Sequence, residues 1–182
     1  MASQDWSRTV ISLCEIAAAL LTVTLSLIVT YRWFAPAVLK GEIRSELLRG
    51  NTAFALVLGT LLASPTLVVL STLGPIIFHV RTYFLLDAGE AFGVFALIGI
   101  AIGYVAAVLS LALITTWIAI RIFEAMTRGI DEMAEIRRGN LAVAILLSAV
   151  IVVVAFFTQI GISALASSLV PQTPLGEVKY MS

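Results

Sequence analysis

The stretches ELLRGNTAFALVLG (46–59) and EIRRGNLAVAILLS (135–148) decide how this chain is read. Each has a glutamate, an arginine three residues later, and then Gly-Asn at the start of a long apolar run. Gly50 and Gly139 lie 89 positions apart, and sliding the chain on itself by that offset brings the two halves into register. Arg32 falls on Arg121, Phe34 on Phe123, Glu46 on Glu135, Arg49 on Arg138, Gly50 on Gly139 and Asn51 on Asn140. Ala53 falls on Ala142, Ala55 on Ala144, Ala17-Ala18 on Ala106-Ala107, and Leu20 on Leu109. Apolar composition alone accounts for the Ala and Leu matches. It does not account for E-x-x-R-G-N-x-A-x-A recurring in register with two matches upstream. The pattern predicts a duplicated unit.

The runs that follow Gly-Asn are too apolar for a soluble fold. The chain has 182 residues, 60% hydrophobic and 12% charged, with a mean hydropathy of +1.07. Soluble domains carry about 25% charged residues, so lipid must cover part of this surface. Net charge is zero, and no Lys/Arg-rich run points to nucleic acid. The single cysteine, Cys14, gives neither an internal disulfide nor a metal spacing. The start, MASQDWSRTV, lacks the basic flank of a signal peptide, and its apolar run continues to Val29. The first helix is therefore expected to be retained.

A helix needs about 20 apolar residues to cross a bilayer. Four stretches qualify: 10–31, 52–73, 91–120 and 141–170. The last two exceed the minimum and are expected to tilt or project into the interface. Pro65 should kink the second span, with the freed carbonyl met by a hydroxyl such as Ser64. Basic residues set the orientation. Arg32, Lys40, Arg44 and Arg49 lie in one connecting segment, and Arg121, Arg128, Arg137 and Arg138 in another. Arg8, Arg81 and Lys179 are scattered over the three remaining segments. The rule places 32–50 and 121–139 in the cytoplasm and both termini outside.

The predicted fold is an all-α membrane protein of four spans. Its organisation is an external segment (1–9), repeat 1 (10–74), an outer interfacial connection (75–90), repeat 2 (91–170) and an external tail (171–182). Each repeat crosses the membrane twice, so both run the same way. That calls for a pseudo-two-fold axis along the membrane normal.

These residues resemble the bacterial inner-membrane family catalogued as domain of unknown function 350. The resemblance covers nearly the whole chain and is sharpest at Glu135, Ile136, Gly139, Asn140, Ala142 and Ala144. In the first half Leu47 stands where the motif has isoleucine. The resemblance implies a four-span protein built of two hairpins. It also implies a setting in membrane maintenance, without an assigned activity.

The motif invites three readings. Glu46 with Arg49, and Glu135 with Arg138, can pair on one helix face. The glycines would let a backbone come close, and the asparagines would bridge to it or to the opposite repeat. This makes a packing node at the cytoplasmic rim, the preferred reading. A plain interfacial boundary and a contact for an anionic headgroup or cytoplasmic partner are the others. Gly99, Gly103 and Ala107 form a small-residue face suited to an internal contact or to an oligomer. Glu15 stands about 7.5 Å into the first span at helical rise, and Gln159 interrupts the fourth. Their meeting would make a polar site; the plainer outcome is one interhelical hydrogen bond. His79, alone in the aromatic outer connection, reads as interfacial.

No phosphate loop, zinc pattern or nucleophile elbow occurs, so no enzyme, catalytic residue, metal or cofactor is expected. A structural or interaction module fits best, as a homo-oligomer or a subunit of a membrane complex. A small oligomeric channel or transporter for ions or small solutes is the alternative.

Overall fold

The structure is a computed structural model that describes residues 2–40, 42–74, 91–127 and 129–169. The expectations for the outer connection, the C-terminal tail and Arg128 lie outside these residues, as do those for the Arg8 and Cys14 side chains. Every regular element described is helical. Helix α1 (Ala2–Val29) passes through a π-helical turn (Thr30–Phe34) into α2 (Ala35–Leu39). A short helix, α3 (Ile43–Leu48), precedes α4 (Thr52–Ser71). The second half holds α5 (Ala91–Met126), a short α6 (Glu132–Arg137) and α7 (Leu141–Leu169). Four stretches are long and apolar enough to cross a bilayer: Glu15–Leu39, Thr52–Ser71, Ile98–Met126 and Leu141–Leu165. That is the make-up of a multi-pass membrane protein.

Helical structure does not stop where the expected spans do. The first span was expected to end at Tyr31, yet helix continues to Leu39; the third was expected to end at Ile120, yet α5 reaches Met126. The extensions persist because they still have core to cover. Ala35, Val38, Leu39, Ile120 and Phe123 are all buried in one cluster. Pro36 follows directly on the π-helical turn, and the helix continues past it to Leu39. Lys40 then closes α2 in the left-handed region (φ 48°), and its N–H donates to Pro36 O at 3.2 Å. Gly129 takes a similar left-handed conformation (φ 98°) after α5.

Helix α4 is the centre of the bundle. Buried residues make up 56% of its spanning window, against 11%, 17% and 17% for the other three. It packs on α1, α5 and most extensively α7. Helices α4 and α7 both leave the short-helix end and run parallel. Their first turns share a core in which Phe54, Val57 and Leu61 meet Ala144, Leu147 and Ile151. Farther along, Val68 and Val69 pack with Val108, Leu109, Ala112 and Ile162.

Pro65 is fully buried, and α4 continues across it. Its ring removes the amide that would bond Leu61 O. The hydroxyl that bonds the backbone nearby is Thr66 rather than Ser64: Thr66 Oγ1 donates to Leu62 O at 2.8 Å. Ser26 of α1 shares a buried 3.0 Å hydrogen bond with Thr66.

Phe54 is wholly buried and Phe157 is 67% exposed. Phe54→Ala should therefore cost roughly 3–5 kcal/mol of stability, and Phe157→Ala should cost little. Unfolding titrations of both variants in the same detergent check the contrast; equal losses would contradict the core assignment.

Candidate functional site

The residues singled out by the repeated motif gather at the short-helix end. Each short helix must stop and a long one must start within three residues. The last carbonyls of one and the first amides of the other then need partners. The sequence solves both problems with Arg-Gly-Asn. At the first copy, Gly50 N donates to Leu47 O at 3.0 Å and Asn51 N to Glu46 O at 3.2 Å. At the second, Gly139 N donates to Ile136 O at 3.0 Å and Asn140 N to Glu135 O at 2.9 Å. This pair of bonds is the Schellman closure, which requires a left-handed residue. Gly50 (φ 70°) and Gly139 (φ 88°) supply it. Close approach of a neighbouring backbone, expected of these glycines, is not what they provide. No described atom comes within 4 Å of a Cβ placed at either.

Both asparagines then cap the long helices. Asn51 Oδ1 accepts from Phe54 N at 3.0 Å, and Asn140 Oδ1 from Val143 N at 3.4 Å. Each amide nitrogen also donates to the preceding glutamate, at 3.0 Å to Glu46 Oε2 and 2.9 Å to Glu135 Oε2. The glutamates are in turn held by arginines one helical turn on. Arg138 Nη1 lies 2.8 Å from Glu135 Oε1, whereas Arg49 Nη1 stands 3.7 Å from Glu46 Oε1. Both guanidinium groups are largely exposed, so these pairs contribute little by themselves.

The two copies differ in reach. Asn51 Nδ2 also donates to Ile136 O and Arg137 O of α6, each at 3.0 Å. An amide NH₂ has two hydrogens, so three acceptors share them. Those two carbonyls belong to the last turn of α6, which needs donors. Arg137 Nη1 returns across the same boundary to Lys40 O at 3.0 Å. The bonds of Asn140 stay within its own half. Ile136, 1% exposed, lies in the core just beneath this exchange.

Two side chains here were missed in the sequence. Asp131 caps α6, accepting from Ala134 N at 3.0 Å. The aspartate immediately before a short amphipathic helix was the available signal. Glu132, buried, accepts from Thr127. No sequence pattern marked that pair, because the chain reverses between its members.

Glu135 is held below the usual carboxylate value of 4.5, first by the Asn140 amide and then by Arg138. A polar cleft of about 480 Å³ opens beside it, lined by residues including Asp131, Glu135, Arg138 and Asn140. Among the described residues no three His, Cys, Asp or Glu side chains gather as metal ligands would.

The remaining candidates lie elsewhere. Gly99, Gly103 and Ala107 are on an exposed face of α5, and no described atom comes within 4 Å of a Cβ placed at either glycine. Gln159 lines an apolar groove of about 420 Å³ between α4 and α7, near Gly59 and Ser64. Glu15, half-buried on α1, is not part of that lining.

The family described as Domain of Unknown Function (DUF350) matches residues 6–162. No curated protein matches the chain, and no solved structure does.

The unequal reach of the asparagines predicts unequal costs. Asn140→Ala should lose a cap worth roughly 0.5–2 kcal/mol. Asn51→Ala should lose that and also the bonds to the Ile136 and Arg137 carbonyls, adding about 0.5–1.5 kcal/mol for each. Equal losses in unfolding titrations would contradict this. Glu135 predicts a pH effect of definite sign. Its folded pKa is depressed, so its stabilisation is complete above the unfolded value and lost as pH falls through the folded one. The stability gap between the wild type and Glu135→Gln should be widest near neutral pH and shrink below about pH 4. A gap independent of pH would exclude that contribution.

Proposed function

The chain belongs to the Domain of Unknown Function (DUF350) family, and from that premise we propose that it is a non-catalytic interaction module of the bacterial inner membrane. It works as a homo-oligomer or as a subunit of a larger membrane complex, in the upkeep of the membrane. The observation that carries this reading is the Asn51 side chain. It caps its own helix and at the same time holds the end of α6 in the other half. Conspicuous polar residues at this rim thus serve to fix helices against one another.

The proposed architecture is two hairpin repeats, 10–74 and 91–170, related by a pseudo-two-fold axis along the membrane normal. The equivalent turns support it. Lys40 and Gly129 are both left-handed, as are Gly50 and Gly139, and an asparagine caps each following helix. Helix α4 also packs on α5, whereas α1 has no comparable seat on α7. In the proposed oligomer, that open flank and the Gly99–Gly103–Ala107 face receive neighbouring subunits. The arginine-rich rim lies in the cytoplasm, with both termini outside. Exposed Trp33 and Trp117 support this placement as an interfacial belt, and Arg121 stacks 5.0 Å from the Trp117 ring.

A second reading, a small oligomeric channel or transporter, is favoured by one feature. The π-helical turn of α1 packs on the proline-bearing helix α4, and interrupted helices line solute paths in many transporters. Native mass spectrometry from mild detergent, paired with flux measurements in liposomes, tests both readings. We expect a defined multimer that loses copies in Gly103→Leu, with no ion or polyamine flux above that of Glu15→Gln. A single-copy mass without another subunit would overturn the module, and flux sensitive to Glu15→Gln would favour transport.

A further inference from the structure

Thr30 opens the π-helical turn. Its side chain is fully buried, and its hydroxyl has no hydrogen-bond partner among the described residues. A hydroxyl so placed in the apolar centre of a bundle is costly and calls for an acceptor. The register of α1 against α4 shows which one is at hand. Ser26 and Thr30 are four apart, hence on one helix face. Ser26 bonds Thr66 of α4. The two helices run antiparallel: Ala35 and Leu39, past the π-turn, share a cluster with Phe54 and Val57 near the start of α4. One turn from the Ser26–Thr66 pair toward the short-helix rim therefore brings Thr30 level with Leu61 and Leu62. The Leu62 carbonyl is taken by Thr66. The Leu61 carbonyl is the one that Pro65 deprives of its amide donor. A donor without an acceptor and an acceptor without its helical donor stand at the same level of one buried seam.

We propose that an internal water molecule binds in this α1–α4 seam, donating to the Leu61 carbonyl and accepting from the Thr30 hydroxyl. A water at such a place satisfies two groups that lipid cannot, and buried waters occupy polar sites of this kind. The Thr30 hydroxyl and the Leu61 carbonyl that Pro65 frees each supply what the other lacks, through one shared solvent molecule.

A double-mutant cycle on thermal unfolding of the full chain in detergent tests this. Thr30→Val should lower the midpoint by roughly 2–4 °C, the shift of one buried hydrogen-bonding group in a chain of this length. Thr30→Ser keeps the hydroxyl and should stay near the wild type. In a Pro65→Ala background the Leu61 carbonyl regains a backbone amide, so Thr30→Val should then cost little. A nuclear Overhauser contact between water and the Thr30 methyl in the wild-type protein provides the second readout. It remains informative if Pro65→Ala does not fold. Coupling together with the water contact supports the site. An equal cost of Thr30→Val in both backgrounds overturns it. Absence of the water contact also overturns it, leaving at most a direct bond between the two groups.

Discussion

The Asn51 amide ties the two halves of this fold together at the short-helix end. In a bilayer core no water waits to satisfy a stray backbone group, so helix ends must be finished before they enter lipid or just as they leave it. The Asn51 side chain finishes two at once. Its oxygen caps the first turn of α4, and its nitrogen reaches the last carbonyls of α6. The central helix and the opposite half are thereby fixed to one atom group. The core beneath, with Phe54, Leu61, Ile136 and Leu147, packs directly under that junction.

The left-handed glycines give this junction its shape. A short helix closed by the Schellman pair and a long helix opened by an asparagine are separated by one residue that must have positive φ. A glycine and an asparagine in that order are thus two answers to two successive backbone demands. The same pair at the second copy meets the same demands, yet there the asparagine keeps its bonds to its own half. Identical local chemistry therefore supports unequal tertiary roles. Surroundings decide the outcome: α6 lies within reach of Asn51.

Much of this was legible in the sequence. Four apolar stretches marked the four long helices, because a bilayer sets a minimum length that composition alone reveals. The motif marked the turns. What it did not reveal was why the glycines are there. Positive φ and close approach both call for glycine, and only the backbone angles separate them. The helical extensions to Leu39 and Met126 were also hidden, since Arg32 and Pro36 in one, and Arg121 and Glu124 in the other, read as the edge of a span although apolar residues continue past them. The grouping of Gln159 with Gly59 and Ser64 depended on how α4 and α7 pack side by side, a tertiary fact with no local trace.

The weak burial of α1 has a consequence for how the protein is made. Only 11% of its spanning window is buried, and Leu13, Ile16, Leu20 and Leu21 all face outward. A ribosome completes α1 before α4 exists to receive it. A helix made ahead of α4 is thus one whose surface already suits lipid. Helix α4, with Pro65 and its hydroxyl-bearing face, is emitted later, when α1 is already present to take up Thr66.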